Sequence, residues 1–303
     1  GIPTTAAEVM VTNGGKQAIY NLFQILLNPG DEVIIPSPYW LSYPEMARLA
    51  QARPVPVPSS AESGFALDLE ALEAAITPAS RLLVINSPGN PTGRVLTLEE
   101  LKALAELVRR HPRLLVMADE IYEYLLDDRV THHSFAAVAP DLKDRCFLVN
   151  GFAKGWAMTG WRLGYLSGHA SVIQAASALQ SQSTSNVCSF AQRGALAAIH
   201  GSRDCVRDMA TSYNRRRTLL TEGLLALKGI TLTPPQGAFY AFPNIEGTGL
   251  SAMELQNKLL NDAGVAIIAG TSFGAYGEGY VRFSYANSTE NILIAIERIK
   301  ASL

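Results

Sequence analysis

Through its first two thirds the chain alternates short apolar runs with amphipathic helical patterns, and few architectures accommodate that order. "EVMVT" leads into "GGKQAIYNLFQILL", and "PGDEVIIP" into "LSYPEMARLA". "RLLVIN" precedes "TLEELKALAELVRRH", which "PRLLVMADE" follows. The apolar runs are rich in Val, Ile and Leu and nearly continuous, the pattern of strands buried on both faces. Strands and helices in this alternation predict an α/β layer, a mostly parallel central sheet with helices on both faces. In the charged helix, Leu98, Leu101, Leu104, Ala105 and Val108 recur on one face. Thr97 and Glu100 read as its capping box.

The pattern then changes. Residues from about 202 to 227 read as one long charged helix, which connects to a smaller α+β unit. That unit holds "GAFYAFPNI", the helix "SAMELQNKLLNDAG", the strands "VAIIAG" and "GYVRFSYA", and a closing helix "ENILIAIERIKASL". The expected division is a large domain over 1–205 and a small C-terminal domain over 206–303. A chain of 303 residues with 48% hydrophobic and 17% charged residues can bury a sizeable core.

Charge and cysteine usage exclude several classes. A net charge of −2 offers no basic footprint for nucleic acid or an anionic membrane. Apolar runs end well short of the roughly 18 residues of a membrane span, and "GIPTTAAEVMVT" has no signal-peptide pattern. Cys146, Cys188 and Cys205, odd in number and far apart, suit a reducing, cytoplasmic setting. The adjacent His132 and His133 would point to different helix faces, so no metal site is expected.

Ligands of open α/β sheets bind beyond the carboxyl ends of the strands, and unusual residues fall at those ends. Gly14, Gly15 and Lys16 follow "VMVT" and open a helix, where free backbone N–H groups favour a phosphate. Trp40 follows "EVII", "NSPGNPTG" with Asn90 follows "RLLVI", and Asp119 ends "LLVMA" with Tyr122 one turn on. Lys154 follows "FLVNG", and Arg162, eight residues later, offers a planar fork for the same anion. Each feature alone reads equally as a turn, a helix cap, a core aromatic or a surface charge. Together, at successive strand ends, they suit a planar, phosphorylated aldehyde cofactor.

These residues carry a resemblance. "INSPGNPTG", "ADEIYEYL", "VNGFAKGWAMTGWRLGY", "SQSTSN", "GAFYAF" and "GYVRFSYA" are similar to segments of class I pyridoxal-phosphate-dependent aminotransferases of fold type I, in the bacterial-type aspartate aminotransferase subgroup. The likeness runs from about Glu8 to the end of the chain. It implies that Lys154 forms a Schiff base with pyridoxal 5'-phosphate and moves the substrate proton. It implies that Asp119 pairs with the pyridine nitrogen, that Tyr122 and Asn90 hold the ring oxygen, and that Trp40 stacks on the ring. Gly15, Lys16 and Arg162 would hold the phosphate. Arg282 would pair with the substrate α-carboxylate from a strand face shared with Tyr280 and Ser284.

The implied substrates are an amino acid, aspartate first, and 2-oxoglutarate, in a homodimer. An aromatic amino acid, prephenate or a carbon–sulfur lyase reaction stays open, as does a non-catalytic relative that binds the cofactor. Two departures stand out. Ala153 and Gly151 occupy positions where many relatives carry a phosphate-binding serine. Relatives also carry a further N-terminal segment, so the chain is expected to be N-terminally truncated.

Overall fold

Seven strands make the central sheet in a computed structural model that describes residues 1–303. They are β1 (Val9–Thr12), β2 (Glu32–Ser37), β3 (Arg53–Pro58), β4 (Ser80–Asn86), β5 (Leu115–Asp119), β6 (Cys146–Gly151) and β7 (Gly164–Ser167). Their order is β1-β7-β6-β5-β4-β2-β3. The pairs β2–β3, β2–β4, β4–β5 and β5–β6 are parallel, whereas β7 runs antiparallel to both β1 and β6. Because β7 alone is reversed, its first residue lies at the sheet end where the other strands finish. That brings the segment before Gly164 to the same crevice as the strand ends.

The apolar runs of β2, β4 and β5 are buried on both faces, as their continuity predicts: Val33 to Ile35, Leu82 to Ile85 and Val116 to Ala118 are all enclosed, whereas β1, at an edge, leaves Val11 exposed. The two edge strands are β1 and β3, and β3 is the proline-rich one. Its prolines at 54, 56 and 58 lie opposite Val33, Ile35 and Ser37 and cannot donate to a further strand, which blunts that edge.

One face of the sheet is covered by the helices Gly15–Leu26, Ser42–Leu49 and Ala170–Ser183, and the other by Leu98–Arg110 and Phe135–Val138. The Leu98–Arg110 helix buries Leu101, Leu104, Ala105, Leu107 and Val108 against the sheet. Its capping box is present: Thr97 accepts from the Glu100 N–H, and Glu100 accepts from the Thr97 N–H. Glu99 and Glu100 in its first turn and Arg109 and Arg110 in its last complement the helix dipole. Thr97→Ala is expected to cost about 1 kcal/mol, read as a shift in the urea midpoint at unchanged slope.

The long helix spans Asp204–Leu225. Beyond it, β8 (Tyr240–Ala241), β9 (Ile268–Ala269) and β10 (Val281–Ser284) form a small antiparallel sheet with β10 in the middle. The helices Ala252–Ala263 and Thr289–Ser302 pack on it in a core that also takes in Tyr122 and Leu125 from the first part of the chain. The strands expected over "VAIIAG" and "GYVRFSYA" are shorter than their apolar patterns, because pairing extends only as far as a partner lies alongside. β10 keeps the alternation read from sequence, with Val281 and Phe283 buried and Arg282 on the other face. No helix is long and apolar enough to cross a membrane.

Candidate active site

The anion end of the crevice is built by glycine. Gly14 caps the helix Gly15–Leu26 at a φ of +83°, a left-handed conformation that disfavours side chains. A Cβ there would lie 2.6 Å from an Arg162 guanidinium nitrogen, so the missing side chain is the space the guanidinium needs. Gly164, which opens β7, lets the Gly14–Gly15 backbone approach equally closely; a Cβ would fall 2.5 Å from Gly15 N. Arg162 donates to the carbonyls of Thr159 at 2.9 Å and Asn13 at 3.3 Å. Its fork is thereby held beside the unpaired N–H groups of a helix start, two independent attractions for one anion.

At the end of β5, Asp119 is buried and accepts from the Tyr43 hydroxyl at 2.7 Å and the Ile121 N–H at 3.2 Å. Burial pushes its carboxyl up to about 6, against the pull of those two hydrogen bonds. Asn86 donates to the Asp119 carbonyl at 2.9 Å and accepts from the Asn90 N–H at 2.9 Å, which ties the "NSPGNPTG" loop to β5. Tyr122 stands three residues beyond Asp119 in a turn; the helical turn expected there does not form. Behind Asp119, His132 joins Glu120 and Glu123 with ligand-type atoms within 4.8 Å of one another. Glu120 accepts from the Phe135 N–H and faces His132, while Glu123 accepts from Asn150.

Lys154 lies in a single helical turn, Phe152–Gly155, directly after β6. Its ammonium is 5.1 Å from the centre of the Phe239 ring and 5.7 Å from that of Tyr122. Burial first, then the Arg162 and Arg282 charges, lower its pKa, while Asp119 opposes them. A lysine so placed gives up its proton more readily than one in water.

Arg282 closes the opposite side. It donates to Asn90 Oδ1 at 3.0 Å and lies 4.4 Å above the Tyr240 ring and 4.8 Å from that of Phe273. Its Nε is buried without a partner, and burial lowers its pKa. Lys16 rests its ammonium 4.9 Å from the Trp40 ring, which stands edge-on to Tyr43. Gly15, Lys16, Trp40, Asn90, Asp119, Tyr122, Lys154, Arg162 and Arg282 all line one cleft of about 400 Å³.

The cleft also contains residues that the sequence reading did not single out. Tyr43 is the partner of Asp119, and Tyr240 bonds the Tyr122 hydroxyl at 3.1 Å. Both sit in quoted segments, but nothing in their spacing says which polar group a tyrosine hydroxyl will meet.

The family model described as aminotransferase class I and II matches residues 1–299. The chain belongs to that family. The aminotransferase is 43% identical to an aspartate/prephenate aminotransferase of Cereibacter sphaeroides, over 99% of this chain and 77% of the relative. Among solved structures, the aspartate aminotransferase of Rhizobium meliloti matches with a TM-score of 0.96 and 38% identity, covering 100% of this chain and 78% of the other. That of Thermus thermophilus with maleate matches with a TM-score of 0.93 and 45% identity, covering 99% and 77%. The family implies pyridoxal 5'-phosphate, and the donor set accords with it. A glycine turn that leaves room for the Arg162 guanidinium, a buried carboxylate with a raised pKa and a half-buried lysine converge on one cleft.

Proposed function

We propose that this aminotransferase moves an amino group between an L-amino acid, aspartate first, and a 2-oxo acid such as 2-oxoglutarate. The observation that carries this reading is the convergence of Lys154, Asp119 and Arg282 on one cleft. Arg282 is a half-buried cation whose enclosed Nε has no partner, and a substrate α-carboxylate would supply one. Relatives named as aspartate/prephenate aminotransferases favour aspartate and admit prephenate as the second oxo-acid partner.

Pyridoxal phosphate, when bound, supplies an aldehyde for the amine and an electron sink for the pair left at the α-carbon. Gly15, Lys16 and Arg162 would hold its phosphate, Asp119 would answer its ring nitrogen, and Trp40 would pack on the ring. Tyr122 and Asn90 would hydrogen-bond its ring oxygen. The Asp119 carboxylate, costly to bury, would be stabilised by a cation brought beside it. Lys154 is the covalent anchor and the base. Its lowered pKa raises the share of neutral amine that can attack a carbonyl or accept a proton. Arg282 and Asn90 orient the substrate so that its α-hydrogen faces the Lys154 amine.

Residues 1–205 then act as the cofactor-binding unit and 206–303 as the unit that brings Arg282 and Tyr240. The protein works in the cytoplasm as a homodimer. Trp161, Phe190, Leu196 and Ile199, all exposed and apolar, support association through the helix Ser189–His200.

The test mixes the cofactor-loaded enzyme with single amino acids and follows the cofactor's absorbance without an acceptor. Aspartate and glutamate are expected to react at least about tenfold faster than alanine or phenylalanine. A panel in which only aromatic amino acids react would overturn the choice of substrate while leaving the aminotransferase chemistry intact.

A further inference from the structure

Tyr240 touches both working ends of the cleft without belonging to either. It sits on β8 opposite Ser284 of β10, so Arg282, two residues along the same strand face, is its diagonal neighbour. That register places the Arg282 guanidinium 4.4 Å above the Tyr240 ring centre, the geometry of a cation held on an aromatic face. The hydroxyl at the far end of the same ring meets the Tyr122 hydroxyl at 3.1 Å. Tyr240 is buried, and its ring is pinned by Phe239 at 4.7 Å between centroids.

The proton count at that hydroxyl pair has a consequence. The two hydroxyls carry two protons, and the hydrogen bond between them uses one. If Tyr122 donates to Tyr240, it has nothing to offer a ligand. If Tyr240 donates, Tyr122 is free to donate into the cleft, and the bond behind it polarises that donation. Burial first, then Tyr240, holds the Tyr122 phenol well above its usual range, so Tyr122 keeps its proton and acts as a donor.

We propose that Tyr240 is a positioning residue that couples the two sites, its ring seating Arg282 for the substrate carboxylate and its hydroxyl turning the Tyr122 proton toward the cofactor oxygen. This rests on the reading of Lys154, Tyr122 and Arg282 given above. Ring and hydroxyl then have separable effects. The ring governs how well a carboxylate is held, whereas the hydroxyl governs the electronics at the cofactor.

The experiment uses the cofactor-loaded enzyme and the variants Tyr240→Phe and Tyr240→Leu. It reads the pH midpoint of the bound cofactor's visible absorption without substrate, and kcat and KM for aspartate. A hydrogen bond donated to the ring oxygen favours its anionic form, so weakening that bond raises the midpoint. Tyr240→Phe is expected to raise it by about half a pH unit and lower kcat by about fivefold, with KM within about twofold of wild type. Tyr240→Leu adds a rise in KM of about tenfold, because Arg282 loses its platform. In a Tyr122→Phe background the midpoint shift from Tyr240→Phe should vanish, a cycle that a merely structural role would not produce. An unmoved midpoint and kcat in Tyr240→Phe, or a wild-type KM in Tyr240→Leu, overturns the inference. Borohydride reduction separates the two readings: no adduct on Lys154 in the wild type sinks the site itself. An adduct there with an inert Tyr240→Phe sinks only the role of Tyr240.

Discussion

Replacing Lys154 by alanine is expected to lower turnover on the order of 10⁴-fold or more, with the unfolding midpoint nearly unchanged. The catalytic loss is large because the cleft holds no second amine in the same setting. Lys16, the other lysine there, rests on Trp40 and lies at the start of a helix on the far strand. The stability change is small for a separate reason. Burial and two arginines disfavour a charge on Lys154, so truncation removes an unfavourable interaction along with some packing of its stem. Single-turnover kinetics, thermal melting and peptide mapping after borohydride reduction check this together. A reduced adduct on Lys16 in the wild type, or a Lys154→Ala enzyme with normal turnover, would contradict it.

Asp119→Asn is expected to do two opposite things. In the cofactor-free chain it stabilises. Burial raises the Asp119 carboxyl from the usual 3.8 to about 6, so between those values the folded state binds more protons than the unfolded chain. Wild-type stability therefore falls as pH rises through that window and stays lower above it. The gap corresponds to about 3 kcal/mol. An asparagine has no such titration, although one hydrogen bond of about 1 kcal/mol, from Tyr43 or Ile121, is compromised. Urea unfolding of the two cofactor-free proteins should diverge from pH 4 to 6 and run parallel at pH 7 to 8, the variant ahead by about 1–2 kcal/mol. In the loaded enzyme the same change should lower kcat by roughly 10²–10³-fold, since it removes the charge proposed to answer the ring nitrogen. A stability difference independent of pH would mean that Asp119 is only a structural acceptor for Tyr43.

Much of the site was legible because the chain announces strand ends. A buried parallel strand must be apolar along its length, so the first polar or glycine residues after "LLVI", "VMA" and "FLVNG" mark the crevice without knowledge of the pairing. Arg162 is different. Its part in the crevice depends on β7 being the reversed strand, and no local pattern distinguishes an antiparallel strand buried among parallel ones. The motif likeness supplied what periodicity did not.

Local chemistry written in the sequence settled the α/β alternation, the capping box at Thr97 and the glycine turn at Gly14, because each depends on residues a few positions apart. Tyr43 on Asp119, Tyr240 between Tyr122 and Arg282, and the one-turn helix under Lys154 were decided only by tertiary structure. Tyr43–Asp119, Tyr122–Tyr240 and Asn90–Arg282 join residues 76, 118 and 192 positions apart. The Tyr122–Tyr240 and Asn90–Arg282 pairs are chosen by how the small sheet docks beside the large one. That docking is set by the shape of a shared core and leaves no periodic trace in either segment.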